Sequence, residues 1–458
     1  MAPNLDRISS LLNLINEAAR TLEAGYTTGD GYVPSLDETK AYPLDKQISA
    51  PEMKEAVQVL EGACAQLCAT LARPNHTVVN ALEPSCLRAA LIFKIPDILQ
   101  DQPAGMHVVD IGQRCGVDPS KLARILRLLC AKHCFREVHK DIFANNRLSV
   151  QLLASNPLHS LGLHMTGDTT AGATKLAETL ADPYWGPSSV PVHSAWNKFT
   201  GQPMAMFDYW AQVSQNPDMH AHGERFGIGM IGWGTAVEAA VVVHAYPWNE
   251  LGPGATVCDL GGGVGAMAIQ LARAHPGLQL KLQDLPDRMV QAEKVVWPAE
   301  CPEAMEQNRI EFRQIDFFIE PPIAGCDVYY LKNILHAFPT SQCLAILKGI
   351  RKSMKPGSRV LIHEYILQTA DGSDQPADRQ LTKAPSPLLS NYGEGRIRQY
   401  YLDVSLMVLV NSQERTLDEY IELGEKAGLR FMKVWEFGDM SGVEMCANEV
   451  YPVAARTK

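Results

Sequence analysis

The stretch VCDLGGGVG at residues 257–265 decides the fold of this 458-residue chain, because an apolar strand there runs directly into a glycine-rich turn. The helical pattern AMAIQLA follows at residues 266–272. Glycine lets the backbone adopt positive φ and pass close to a ligand, and the start of the next helix presents free N–H groups. We interpret the segment as a nucleotide-type cofactor site with Asp259, Gly261 and Gly263 as candidate contacts.

Acidic residues also follow the next two strand patterns. The strand LQLKL at residues 278–282 leads to Asp284, and a carboxylate there can accept hydrogen bonds from both ribose hydroxyls of an adenosine ligand. The strand IEFRQI at residues 310–315 leads to Asp316 and Phe317, which suit an adenine amino group and its ring face. One such acid is more often a helix N-cap or a solvated loop residue, but three at successive strand ends favour a ligand site.

Strand and helix patterns alternate from residue 250 onward, with residues 328–331 and 360–362 as the fourth and fifth strands. This alternation predicts a parallel sheet with right-handed crossovers and helices on both faces. The cofactor should lie across the carboxyl ends of the first three strands. The predicted class is therefore α/β, with a Rossmann-like domain over residues 246–458.

In their order, these motifs resemble those of the S-adenosylmethionine-dependent O-methyltransferases that act on small molecules in plants and fungi. QDLP at 283–286, YLKNILH at 330–336 and MKPGSRVLIHE at 354–364 fall where that family's motifs fall, as do the glycine turn and Asp316-Phe317. The resemblance covers residues 60 to 455 and implies a class I methyltransferase domain that binds S-adenosylmethionine. It adds Lys332 to the candidate cofactor contacts.

The resemblance also implies a general base at His336, after the fourth strand. In the family a histidine at this place removes the proton from a substrate hydroxyl, and imidazole, with its ordinary pKa of about 6.5, accepts a proton near neutrality. Glu364 and Glu414 match the two carboxylates that orient this base. A lone histidine is more often structural, but the surrounding motifs favour a pocket residue.

A departure from the family's pattern leaves the activity open. The family commonly places an acid and a tryptophan after the histidine, whereas this chain has Ala337 and Phe338. Complete cofactor motifs beside an altered catalytic motif also resemble a fungal branch of pericyclases that bind S-adenosylmethionine and cyclise quinone methides from pyridone alkaloids. Such a hetero-Diels-Alder or Alder-ene reaction needs a shaped apolar pocket and a donor such as Lys332. We place the pericyclase first, methyl transfer to an aromatic or polyketide hydroxyl second, and a catalytically silent cofactor-binding scaffold third.

Candidate substrate contacts come from two other regions. Met407 and Asp403 lie in the helical pattern 398–408, which occupies the family's substrate-clamping position. His159 and His164 precede a Gly/Thr-rich turn in the region that lines the family's acceptor pocket. A methionine at helical spacing is more often core, and surface or capping roles suit both histidines equally well. No metal-ligand spacing is evident, and we expect no metal.

The first half of the chain predicts a helical, winged-helix-like dimerisation region. Helical patterns at residues 8–22 and 52–71 form N-terminal arms over residues 1–75. Within residues 76–245, a helical pattern at 121–132 precedes short strands at 135–138 and 142–144. The formal charge of −10 argues against nucleic acid as a partner, because phosphate neutralisation drives such binding. We expect a homodimer in which this region helps to close the pocket for a small-molecule substrate.

Composition predicts a cytoplasmic globular enzyme with no membrane partner. The chain is 46% hydrophobic but lacks the ~18-residue apolar run of a membrane span and a signal-peptide pattern. We expect its 11 cysteines to be reduced, with Cys64 and Cys68 as core thiols on one helix. Residues 368–391, rich in Asp, Gln, Pro and Ser, are either a mobile lid over the site or a surface insertion.

Overall fold

A computed structural model describes residues 5–28, 31–40, 42, 49–71, 83–211, 217–237, 239–371, 376, 379 and 381–448. Its α-helices are α1 Leu5–Tyr26, α2 Pro51–Leu71, α3 Glu83–Ile92, α4 Ile95–Ile98, α5 Val108–Cys115, α6 Pro119–Ala131, α7 Pro157–His164, α8 Thr170–Ala173, α9 Leu176–Leu180, α10 Ala195–Thr200, α11 Met206–Ala211, α12 Pro217–Ala236, α13 Val242–Ala245, α14 Ala266–Ala274, α15 Pro286–Gln291, α16 Trp297–Glu300, α17 Pro302–Glu306, α18 Thr340–Ser353, α19 Ile397–Val410 and α20 Leu417–Lys426. Its strands are β1 Met106–His107, β2 Arg136–His139, β3 Ile142–Ala144, β4 Thr256–Leu260, β5 Gln279–Asp284, β6 Ile310–Gln314, β7 Val328–Lys332, β8 Arg359–Glu364, β9 Ile366–Leu367, β10 Arg415–Thr416, β11 Leu429–Glu436 and β12 Ser441–Ala447.

A seven-stranded sheet forms the centre of the C-terminal half, in the order β11-β12-β8-β7-β4-β5-β6. Strands β4 to β8 run parallel, while β11 and β12 pair antiparallel at one edge. Parallel neighbours need crossover connections, and here helices supply them. The parallel strands confirm the α/β prediction made from the sequence. The antiparallel strands β11 and β12 extend the sheet at one edge.

Strand β7 shows why this sheet is buried on both faces. Val328 and Tyr330 point into one hydrophobic core, whereas Tyr329 and Leu331 point into the core on the opposite face. Since successive side chains of a strand alternate between faces, a strand that is covered on both sides needs a continuous apolar run. The sequence VYYL supplies that run and places Lys332 at the carboxyl end of the strand.

The winged-helix-like element also agrees with the sequence prediction. Helix α6 begins after Asp118, whose carboxylate accepts a hydrogen bond from the backbone N–H of Lys121 at 3.0 Å. Strands β2 and β3 form a hairpin, and β1 adds a third strand in the order β1-β3-β2. Leu122 and Leu126 of α6 pack beneath this sheet in their own hydrophobic core.

Helices α1 and α2 pack against each other and against the C-terminal half of the same chain. Leu11 of α1 and Val59 of α2 share a hydrophobic cluster with Leu388 and Tyr392. Gln58 adds polar contacts, because its amide group donates to Asp439 at 3.2 Å and accepts from Arg396 at 3.2 Å. The N-terminal arms therefore cover apolar surface that would otherwise be exposed.

Leu11→Ala should lower the free energy of unfolding by about 2–4 kcal/mol, because it leaves a cavity between α1 and α2. Leu12→Ala is the matched control and should change stability by about 0.5 kcal/mol or less. The two neighbours differ in burial, since Leu11 is 0% exposed and Leu12 is 44% exposed. Urea denaturation of both variants measures the difference, and equal losses would contradict this packing.

Two sequence expectations need correction or remain open. Cys64 and Cys68 are exposed, so the prediction of core thiols is wrong; the buried face of α2 carries Ala56, Val59 and Ala63 instead. Residues 372–375, 377, 378 and 380 of the segment 368–391 lie outside the described residues, and the role of this segment as lid or insertion stays a hypothesis.

No single described helix is long and apolar enough to cross a membrane, although the bent pair 225–236 and 239–245 meets both criteria together.

Candidate active site

The carboxyl ends of β4, β5 and β6 bring together the three acids predicted from the sequence. Asp259 lies near the end of β4, Asp284 ends β5, and Asp316 follows β6. Asp284 accepts hydrogen bonds from the backbone N–H of Gly263 at 2.8 Å and of Leu285 at 2.7 Å. This carboxylate therefore fixes the glycine turn and still has lone pairs for a ligand hydroxyl.

The glycine turn is shaped by two backbone requirements. Gly261 and Gly263 have φ values of +74° and +60°, which side-chain-bearing residues rarely adopt. A Cβ atom on Gly262 would lie 2.5 Å from the carboxylate of Asp259, so the turn passes directly over that acid. Glycine here gives a ligand access to the backbone and keeps Asp259 close beneath it.

Asp259 is a buried carboxylate with an unused acceptor. It is 3% exposed, and its Oδ2 has no hydrogen-bond partner among the described residues. Burial, together with repulsion from Asp284, raises the pKa of Asp259 to about 7, although Lys332 acts in the opposite direction. Burial lowers the pKa of Lys332 against the attraction of Asp259 and Glu364. The orphaned oxygen fits a ligand that carries an amino group or another cation.

An aromatic cluster lies beside Asp316. The ring of Phe317 packs edge-on against Phe318 and Phe338, with centroid distances of 4.8 Å and 5.9 Å. Phe338 is one of the two residues that depart from the family's pattern after His336. Phe338 therefore connects the turn that carries the candidate base to Phe317, the aromatic residue predicted to contact adenine.

His336 forms a buried pair with Glu414. It lies in the 3-10 turn Leu335–Ala337, and its Nδ1 is 2.7 Å from Glu414 Oε1. Burial alone would lower the pKa of His336, but the charge and hydrogen bond of Glu414 outweigh it, and the pKa is raised. Asp403 holds the partner in place by accepting a hydrogen bond from the backbone N–H of Glu414 at 2.8 Å. The arrangement presents His336 Nε2 as a proton acceptor.

Glu364 acts on the backbone of the same turn and makes no hydrogen bond with the imidazole ring. Its Oε1 accepts from the N–H groups of Ile334 at 2.9 Å and Leu335 at 2.6 Å, and its Oε2 accepts from the hydroxyl of Tyr420 at 2.5 Å. Both predicted carboxylates therefore position His336, one through its ring and the other through its main chain.

Sequence reasoning did not identify Arg415, which holds the opposite end of the turn. Its guanidinium donates to the carbonyl oxygens of Leu335 at 2.8 Å and Phe338 at 2.9 Å, and the residue is 2% exposed. A buried arginine must satisfy its donors, and the carbonyl oxygens of this short turn accept its hydrogen bonds. Its place next to Glu414 in the sequence is a usable signal, but its target lies far away along the chain.

The predicted substrate contacts lie on two helices, α7 and α19. Met407 is half-buried on α19, the helix that also carries Asp403. His159 Nδ1 lies 2.9 Å from the carbonyl oxygen of Leu152, which favours a structural role for this ring. His164 ends α7 and lies beside Asp168, away from the His336 turn in sequence. Among the described residues, no group of three acidic, histidine or cysteine side chains is arranged to hold a metal ion.

Comparison with known proteins gives a consistent match. Residues 234–430 match the model of an O-methyltransferase domain, and residues 76–155 match that of an O-methyltransferase dimerisation domain. The chain is 38% identical to 3-O-methyltransferase 2 of Phanerochaete chrysosporium, covering 96% of this chain and 98% of that protein. It is 34% identical to O-methyltransferase gedA of Aspergillus terreus, covering 84% and 85% respectively. The solved structure of LepI in complex with S-adenosylmethionine has a similar fold, with a TM-score of 0.68, 18% identity, and coverage of 97% of this chain and 100% of that chain.

Proposed function

The chain belongs to the O-methyltransferase family, and on that premise we propose that it methylates a hydroxyl group of an aromatic or polyketide natural product. S-adenosylmethionine is the cofactor. The observation that carries the proposal is the buried pair His336–Glu414, whose 2.7 Å contact prepares a general base. Two similar fungal proteins with O-methyltransferase names support the same activity.

The residues of the glycine turn fit this cofactor. Asp284 would hold the ribose hydroxyls. The unused Oδ2 of Asp259 would accept a hydrogen bond from the amino group of the cofactor's methionine part. Asp316 and Phe317 would contact the adenine. When bound, S-adenosylmethionine supplies an electrophilic methyl group, which the acceptor oxygen takes to leave S-adenosylhomocysteine.

The protein's own part in the reaction is to accept a proton. Glu414 accepts the hydrogen bond from Nδ1–H of His336, so Nε2 is the unprotonated nitrogen of the neutral ring. The acceptor hydroxyl gives its proton to Nε2 as its oxygen becomes nucleophilic. Glu414 then stabilises the imidazolium, because the two charges are adjacent and screened from water. Glu364 and Arg415 keep the turn in place during this transfer.

Incubation with S-adenosylmethionine and a panel of phenolic and polyketide acceptors tests the proposal. We expect a product that is one methyl group heavier and one equivalent of S-adenosylhomocysteine per product, measured by mass spectrometry. Cofactor binding with no methylated product from any acceptor would favour a silent scaffold instead.

A pericyclase remains the second candidate, favoured by Ala337 and Phe338 in place of the family's acid and tryptophan. In that reaction Lys332 would donate to a developing negative charge on the substrate. We now rank methyl transfer first, reversing the order given from the sequence, because His336 keeps a buried carboxylate partner in spite of the altered motif. The similarity to LepI at 18% identity concerns the fold alone. A product of unchanged mass, formed without S-adenosylhomocysteine, would reverse the ranking again.

Binding of S-adenosylmethionine should weaken as the pH falls below about 7, because Asp259 must be ionised to attract the cationic cofactor. The pKa of Asp259 is raised, so at lower pH the free protein holds a proton that binding has to release. The dissociation constant should then rise by about tenfold per pH unit. Isothermal titration calorimetry measures the profile, and Asp259→Asn should weaken binding at high pH and flatten the profile. A flat profile in the unsubstituted protein would remove Asp259 from the site.

The dimerisation-domain match also supports a homodimer. Within each chain, the matched region, residues 76–155, contains the winged-helix-like element and its own hydrophobic core. Sedimentation equilibrium should give twice the chain mass, and a monomer at all concentrations would contradict this inference.

A further inference from the structure

A second group of titratable side chains surrounds Asp168, outside the site described above. Asp168 lies in the π-helical turn Met165–Thr169, between α7 and α8. Its Oδ2 is 3.5 Å from His164 Nδ1, and its Oδ1 is 3.5 Å from His222 Nδ1. Burial acts against ionisation of Asp168, but the two imidazoles outweigh it and hold the pKa of the carboxyl below its usual range. One carboxylate therefore lies within ion-pair distance of two rings, from α7 and α12, and neither Nδ1 has a hydrogen-bond partner among the described residues.

Two arginines bring a surplus of positive charge to this group. Arg88 donates to the carbonyl oxygen of Leu163 at 3.1 Å and lies against Gly167, where a Cβ atom would overlap its guanidinium. Arg225 is half-buried and has no hydrogen bond or ion pair with the described residues. Burial lowers the pKa of Arg225, with Asp168 opposing this effect and Arg88 adding to it. Since a partly desolvated guanidinium without a directly bonded anion is unfavourable, these charges favour an anionic ligand.

The walls around the charges suit an aromatic molecule. The ring of His164 stands edge-on to Phe226 at 5.1 Å and to Trp210 at 6.0 Å. Aromatic edges and faces of this kind hold a flat ring as well as they hold each other. The cluster therefore combines a cationic end with apolar, aromatic sides.

Helix α19 connects this cluster to the candidate base. It packs against both the π-helical turn and the 3-10 turn that carries His336. Val408 of α19 lies against Gly172 of α8, and Asp403 on the same helix binds the backbone of Glu414. These two positions on the helix are separated by about 7–8 Å of rise. Helix α19 therefore contacts both the Asp168 cluster and the turn of the candidate base.

We propose that Arg225, with His164 and His222 beside Asp168, binds a carboxylate of the methyl acceptor, so that the acceptor is a hydroxylated aromatic acid. The proposal rests on the function proposed above. A guanidinium matches a carboxylate through two parallel hydrogen bonds, and an imidazolium whose Nδ1 faces Asp168 can donate its Nε2–H to the ligand. Among the described side chains, Asp168 neutralises one positive charge of this group, and the remaining positive charge is available for one acid group.

Calorimetry with a matched pair of probes tests the site without turnover. 3,4-Dihydroxybenzoate and 3,4-dihydroxybenzamide differ only in the charge of one group, and saturating S-adenosylhomocysteine prevents reaction. We expect the acid to bind at least about tenfold more tightly than the amide. Arg225→Met should bring the ratio close to one, and Arg225→Lys should restore part of it. Arg430→Met, on the exposed face of β11, is the matched control and should keep the preference.

The outcomes separate this site from the proposed reaction. Equal affinity of the unsubstituted protein for acid and amide, a preference that survives Arg225→Met, or no binding of the acid at millimolar concentration would each overturn the carboxylate site. Methyl transfer to either probe would still support the reaction in those cases. A clear preference for the acid that Arg225→Met abolishes would support the site, even if neither probe were methylated.

Discussion

His336→Ala is expected to slow methyl transfer by about 10²–10⁴-fold, because it removes the nitrogen that we propose takes the proton from the acceptor hydroxyl. Affinity for S-adenosylmethionine should change little, since the proposed cofactor contacts lie in the glycine turn and at the ends of β5 and β6, apart from the His336 turn. Single-turnover rates at saturating cofactor measure the loss. An acceptor whose hydroxyl is already ionised should recover part of the rate, because it needs no base.

His244→Ala is the matched control for this substitution. His244 is exposed on the short helix α13 and should give the unsubstituted rate. A His336→Ala variant that kept most of its turnover would show that His336 is not needed as a base. That result would favour a pericyclic reaction over methyl transfer.

Glu414→Gln should reduce turnover by about 10²-fold or more, because an amide can hold the imidazole in the wrong tautomer; carboxylate-to-amide exchange in a serine protease triad has this effect. The pH profile should move as well. Glu414 raises the pKa of His336 in the native protein, and activity is lost as the pH falls through that raised value. Removing the charge lowers this pKa, so the acidic limb should shift to lower pH while the plateau falls.

Glu422→Gln provides the control, since Glu422 is exposed on α20 and pairs only with Lys426 among the described residues. It should leave both the plateau and the acidic limb unchanged. A Glu414→Gln profile that kept its position on the pH axis would contradict the assignment of that limb to His336.

The positions of the glycine turn and of the three acids could be predicted because these residues follow local patterns. Asp259, Asp284 and Asp316 each come at the end of an apolar strand, and parallel strands end at the same edge of a sheet. The positive φ of Gly261 and Gly263 is likewise a local requirement that glycine answers. Order along the chain therefore suffices to bring these residues together.

The hydrogen bonds that hold the His336 turn in place could not be predicted in the same way. Arg415 of β10 contacts the turn itself, and Tyr420 of α20 contacts Glu364. No periodic pattern marks which distant carbonyl or carboxylate either residue will contact. Glu414 was matched only through family resemblance. The same limit applies to Asp168, because its partner His222 comes from α12 and the π-helical turn leaves no signature in the sequence.

A single-turnover experiment with methyl-labelled S-adenosylmethionine tests the central claim most directly. The enzyme is held in excess over a competent acceptor, and label in the product is followed together with loss of the substrate. We expect one labelled methyl group per product, appearing at the rate at which the substrate disappears. Substrate that disappears to give an unlabelled isomer, with the labelled cofactor intact, would contradict methyl transfer.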